Sequence, residues 1–170
     1  MAESLTTKIT ISVQASLVNP ADLVQGAAPL VYSKSFTWTS GVVADTADRV
    51  FSDTRTIAAS GTDDLDLAGT LVDALGQTLT FAKVTAIIIA AAAGNTNDVV
   101  VGAAATNQFA TPWGAATHTN KVKPGGLLVL LARDLTAYGV TAGTGDLLRV
   151  ANGGAGTSVD YDVLIIGRSA

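Results

Sequence analysis

The chain has 170 residues, enough for one domain that buries roughly two thirds of its unfolded surface without help from a metal or disulfide. It is 48% hydrophobic with a mean hydropathy of +0.41, and only 14% of its residues are charged, against about 25% in an average domain, so part of its surface is expected to be covered by other subunits. A net charge of −4 with scattered Lys and Arg argues against direct nucleic-acid binding, and the absence of Cys excludes disulfides, thiolate metal sites and cysteine nucleophiles.

In chain order, Met1–Thr10 lacks the apolar core of a signal peptide. Ile9, Ile11, Val13, Ala15 and Leu17 then alternate with Thr10, Ser12, Gln14 and Ser16, the pattern of a half-buried strand. Asn19-Pro20 breaks it, and Ala21–Lys34 reads as a connection or arm. Ser35–Ser40 alternates around Phe36 and Trp38 as a second, short strand that would pack Trp38, and Gly41–Asp48 reads as a loop.

From Val50 the signals are denser. Ser52–Ala59 and Asp64–Leu67 read as strands around the turn Ser60-Gly61-Thr62-Asp63. Leu67, Leu71 and Leu75 recur every four residues ahead of Gly76, which predicts one short helix over Thr70–Leu75. Gln77–Lys83 alternates Leu79 and Phe81 with threonines. Val84–Ala92 reads as a strand buried on both faces, and the longest apolar run, Ala86–Ala93, which overlaps it, is far short of a bilayer span of about 18 residues. Asp98–Gly102, Leu127–Arg133, Leu147–Ala151 and Val159–Gly167 complete the predicted strands, separated by glycine-rich turns. Short strands at this spacing predict an all-β fold: an antiparallel, jelly-roll-like β-sandwich over 50–170, preceded by an N-terminal strand-and-arm segment over 1–49 that joins the same domain or stands apart from it.

Chemistry is sparse in the sequence. His118, the single histidine, lies in the loop Ala115–Thr119, where a solvated side chain is favoured over a triad member, and one His without Cys cannot hold zinc. Asp63, Asp64 and Asp66 form the densest acidic cluster. Their alternation with Leu65 and Leu67 favours a solvated strand face over a calcium site, and Asp160 and Asp162 read the same way. No phosphate loop or nucleophile elbow is present. No catalytic, cofactor-binding or metal-binding residue is therefore assigned, and no enzyme activity is expected. Trp113 is the best candidate for an exposed aromatic, either as a glycan platform or as an anchor at a subunit interface.

Asp64-Leu65-Asp66-Leu67-Ala68-Gly69 followed by Leu79–Val84, then Asn97–Gly102, Val122–Gly126, Gly145–Asn152 and Gly156–Tyr161, is similar to structural proteins of tailed bacteriophages and prophages. The resemblance spans about Val50–Gly167. It implies a jelly-roll cement, or decoration, protein on the outer capsid surface, with the major capsid protein and further copies of itself as partners, typically as trimers, without cofactor or membrane. In that role Met1–Lys34 is the candidate arm, with Ile9–Leu17 either adding to a partner's sheet edge or serving as an ordinary strand of its own domain. The candidate interface residues are Ile9, Ile11, Val13, Tyr32, Trp38 and Trp113. A tail- or fibre-associated domain that binds host glycans is the alternative.

Overall fold

The computed structural model describes residues 4–20 and 25–170. It is all-β, with twelve strands and no helix among the described residues. Two long strands come first, β1 (Thr7–Asn19) and β2 (Gly26–Ser40), joined in parallel to the two-residue β3 (Thr46–Ala47). The sandwich follows as β4 (Arg49–Ile57), β5 (Thr62–Asp66), β6 (Lys83–Ala91), β7 (Val99–Gly102), β8 (Thr119–Val122), β9 (Leu127–Leu131), β10 (Tyr138–Gly139), β11 (Leu147–Asn152) and β12 (Val159–Arg168).

One sheet runs β4-β12-β6-β9, with the short β10 beside β9 on the same edge of β6, and the other runs β5-β11-β7-β8. Every connection between the eight main strands passes from one sheet to the other except β7 to β8, which stays within its sheet. That winding is a jelly roll, as the strand spacing predicts. Between the sheets lies the main core, built around Phe51, Leu65, Ile87, Ile89, Leu148, Val150, Tyr161 and Ile165. The central strands β6 and β12 are buried along most of their length, which is why β6 reads as a continuous apolar run.

Polar side chains fix the turns and tie the sheets. Asn152 is buried at the end of β11, where its Nδ2 donates to the carbonyls of Ile57, Ala58 and Thr157 and its Oδ1 accepts from Asn97 Nδ2 and the Gly154 amide. Arg55 on β4 reaches across to Asp63 on β5 at 2.5 Å, and the Tyr161 hydroxyl donates to the same carboxylate at 2.7 Å. Burial, then the neighbouring Asp63 carboxylate, pushes the Tyr161 hydroxyl well above the ordinary tyrosine pKa. Arg149 on β11 makes a two-pronged pair with Asp64, both contacts at 2.7 Å, and that bond holds the Arg149 pKa above its usual value.

Several expectations are corrected. Thr70–Leu75 is not helical. Leu71 is buried, but Leu75 is exposed, and the segment folds into an irregular hairpin closed by a bridge between Val72 and Thr78. Asp73 drives this turn by accepting from the amides of Leu75 and Gln77, an Asx arrangement that competes with helix. Gly76 does take a positive φ of 85°, but inside that hairpin rather than behind a helix. Gln77–Lys83 buries Leu79 and Phe81 as their alternation suggests, yet apart from the Thr78 bridge and Lys83, which opens β6, it joins no ladder. The amides of Leu79 and Phe81 donate back to the carbonyls of Leu71 and Leu67. Ile9–Leu17 is not a half-buried strand of the sandwich; of Ala21–Lys34, read as a connection or an arm, residues 21–24 lie outside the described residues and the rest is more than a connection. Gly26–Lys34 continues into Ser40 as one long strand paired with β1.

Candidate functional site: a projecting ribbon

β1 and β2 form an antiparallel ribbon of thirteen paired positions, from Thr7 opposite Trp38 to Asn19 opposite Gly26. At about 3.4 Å per residue it is roughly 43 Å long. Residues directly opposite share a face, so the register sorts the side chains. One face carries Ile9, Phe36, Ile11, Val13, Tyr32, Ala15, Leu30, Leu17 and Ala28, with Lys34 the single charge. The other is polar near the root, with Lys8, Thr37, Thr10, Ser35, Ser12, Ser33, Gln14 and Ser16, and turns apolar toward the tip with Val31, Pro29, Val18 and Ala27; the Thr10 and Ser35 hydroxyls are hydrogen-bonded across the strands at 2.9 Å. The strict alternation of Ile9–Leu17 is this amphipathic ribbon, not a face turned toward the sandwich.

The root is anchored and the rest is bare. Trp38 is fully buried in a second, smaller core with Ala47, Ala86 and Ile166, against which Leu5, Ile9, Phe36, Val50, Leu131 and Leu164 pack. This core lies on the outer side of the β4-β12-β6-β9 sheet, the side opposite the main core. Phe36 stacks near Trp38, with ring centroids 6.4 Å apart, and the Lys34 ammonium lies 5.5 Å from the Phe36 centroid. Arg168, buried at the end of β12, clamps the loop after the ribbon by donating to the Val43 carbonyl at 2.5 Å, and to the carbonyls of Asp134 and Leu135 on a second loop. Beyond the root the apolar face opens to solvent: Val13, Tyr32, Leu30 and Leu17 are exposed, Leu17 by 77%. Such a ribbon combines an apolar patch with two unpaired strand edges, and a lone two-stranded ribbon is marginal in water.

The candidate interface residues thus divide. Ile11, Val13 and Tyr32 lie on the exposed apolar face, and Ile9 sits half-buried at its base. Trp38 is a correction: it faces no partner, because its indole is wholly covered within the chain and roots the ribbon. Trp113 is half-buried against the main core and its indole N–H donates to Asn120, so it is not a free-standing aromatic platform, although part of its ring remains at the surface. Leu17, Leu30 and Val31 belong to the exposed ribbon and were not singled out from sequence. The signal for Leu17 was the alternation itself; Leu30 and Val31 lie where apolar residues of both parities and Pro29 mask a strand.

The polar candidates serve the fold. Asp63 holds Arg55 and Tyr161, Asp64 holds Arg149, and Asp66 accepts from the Ala68 amide at 3.0 Å. Asp160 and Asp162 lie on the exposed face of β12, each accepting a threonine hydroxyl of β4 at 2.6 Å. His118 is exposed in its loop. A recess of about 240 Å³ beside the ribbon root, lined by Leu5, Arg49, Asp73, Leu75 and Leu79 among others, is smaller than the roughly 300–1,000 Å³ of small-molecule sites, and two larger recesses of about 400 and 480 Å³ around Asp53 and Thr54 are shallow and open to solvent. Comparison with protein-family models, with curated proteins and with solved structures returns no match.

Proposed function

We propose that this chain is a structural virion protein of a tailed bacteriophage that binds the outer capsid surface and cross-links major-capsid subunits as a homo-oligomer. The observation that carries the reading is the ribbon: a roughly 43 Å amphipathic projection whose apolar face is left uncovered by the described residues. A rigid sandwich that presents such an element is suited to a subunit of a larger assembly. Low flexibility limits the entropy lost on docking, and several copies held together bind with avidity even when each contact is weak. The acidic balance suits the outside of a DNA-filled shell better than the inside.

The test is reconstitution. Purified chain is added to heads of the encoding phage assembled without it, and bound copies are counted by quantitative mass spectrometry and cryo-electron microscopy. Occupancy on the scale of the capsid subunits, with recovered resistance to heat and chelator and unchanged host adsorption, is the expected outcome. An unaltered melting temperature of the heads, or a copy number matching only the tail, refutes the proposal.

A further inference from the structure

We propose that the apolar face of the ribbon is covered by the same face of a second copy, the two ribbons lying antiparallel and face to face about a twofold axis. The inference concerns contacts between copies and stands whether or not the shell is a phage head.

The register carries it. Beyond Lys34 the face consists of four cross-strand pairs: Val13 with Tyr32, Ala15 with Leu30, Leu17 with Ala28, and Asn19 with Gly26. In the two middle pairs large and small side chains alternate diagonally between the strands, Leu30 and Leu17 large, Ala15 and Ala28 small, with the bulkier Val13–Tyr32 pair at the root end and Asn19–Gly26 at the other. A twofold axis across the ribbon, midway between the Ala15–Leu30 and Leu17–Ala28 pairs, sets Leu30 of each copy over Ala28 of the other and Leu17 over Ala15. It also sets the Tyr32 ring over Gly26, where even a Cβ would meet nothing within 4 Å. The face is therefore complementary to itself, which is what a twofold contact requires. A register one pair longer would bring Lys34 beneath the partner's ribbon; this one leaves it outside.

Charge points the same way. None of residues 13–19 or 26–32 is charged, whereas Lys8 and Lys34 both stand nearer the root. Proteins commonly guard a solvent-exposed strand edge with Lys or Pro, and this segment has only Pro29. A foreign surface would have to supply matching notches for Leu17, Leu30 and Tyr32, while a second copy has them already. Seven residues at about 3.4 Å and a ribbon width of about 10 Å give a footprint of roughly 240 Å² on each copy. Roughly 480 Å² in all is well below the roughly 1,200–2,000 Å² of a stable interface, so free copies pair only transiently and the contact is most populated where copies are concentrated, as on a shared surface. The antiparallel arrangement also leaves the two sandwiches at opposite ends of the paired ribbons, which makes the contact a strut between bodies.

Chemical trapping tests this on the free protein, because the chain has no Cys of its own. In the double variant Val13→Cys/Asn19→Cys the two positions lie about 20 Å apart along one strand but face each other across the proposed twofold. A bismaleimide too short to bridge them within one chain is expected to give a covalent dimer in the absence of any phage head. Thr10→Cys/Ser16→Cys, with the same spacing on the polar face, is expected to stay monomeric, and adding Leu30→Lys to the first pair is expected to lower its yield at least several-fold. Equal yields from the two faces overturn the proposal. So does a Val13→Cys/Asn19→Cys chain that stays monomeric however concentrated the free protein, because irreversible trapping collects even a transient pair. Failure of head binding with intact cross-linking refutes the capsid reading alone.

Discussion

Trp38 should hold the ribbon to the sandwich, and its replacement reads out that role. Among the described residues the indole is fully buried in a core with three other fully buried residues, two of them alanine, so it is the largest side chain there. A buried tryptophan removes about 200 Å² from water, which at roughly 25 cal/mol/Å² amounts to about 5 kcal/mol. Against this stands its indole N–H, which has no hydrogen-bond partner among the described residues, a defect of about 1–3 kcal/mol that leaves with the side chain. Trp38→Ala is therefore expected to cost about 3 kcal/mol, and Trp38→Phe, which keeps much of the packing and removes the orphan donor, about 1 kcal/mol or less. Urea unfolding followed by circular dichroism gives the stability difference. Hydrogen exchange gives its location: amides of β1 and β2 should lose protection in Trp38→Ala before those of β6 and β12. Equal costs for the two variants, or undiminished ribbon protection in Trp38→Ala, would show that the second core is not what anchors the ribbon.

Three further outcomes follow from the sandwich. Burial and Asp63 raise the Tyr161 pKa above its ordinary 10.0, so the folded state holds that proton more tightly than the unfolded state. Its stabilising contribution is whole below pH 10 and declines as pH rises toward the raised folded value, by up to about 1.4 kcal/mol per pH unit for this one group; Tyr161→Phe should show a shallower alkaline loss than wild type in paired denaturation curves. Asn152→Ala leaves the Ile57, Ala58 and Thr157 carbonyls without their shared donor and is expected to cost about 2–3 kcal/mol, measured as a fall in urea midpoint. Gly167 sits at the bulge where β12 shifts register against β6, and a Cβ there would run into the Lys83 carbonyl and the Phe81 ring. Gly167→Ala should therefore lower the melting temperature by several degrees, while Gly76→Ala, where the Cβ meets open space, should cost only the strain of its positive φ, about 1 kcal/mol.

Local pattern settled the fold class. Alternation and β-branched runs marked β4, β6, β7, β9, β11 and β12 to within a few residues, because each strand's burial is imposed by which face meets the core and a period of two records it directly. The glycine-rich turns between them follow from backbone freedom that no partner supplies. β8 escaped notice because three of its four residues are exposed and polar, so only its pairing with β7 makes it a strand. The helix expected over Thr70–Leu75 failed for a related reason. A spacing of four places Leu67 and Leu71 in the core equally well from successive turns, and a six-residue helix is too short to persist unless packing holds it.

The ribbon shows most clearly what tertiary structure decided. Ile9–Leu17 announces a strand with one greasy face, but the same alternation serves a strand buried in a sandwich and a ribbon projecting from one. The partner strand Gly26–Lys34 carries apolar residues of both parities and a proline, so nothing local identifies it; the thirteen-position pairing to β1 does. Whether Trp38 faced inward or outward, and whether Val13 and Leu17 met a core or solvent, depended on how the chain returned over the outer face of the β4-β12-β6-β9 sheet. That return is a contact between residues far apart in sequence, and burial is a property of such contacts rather than of the residues that make them.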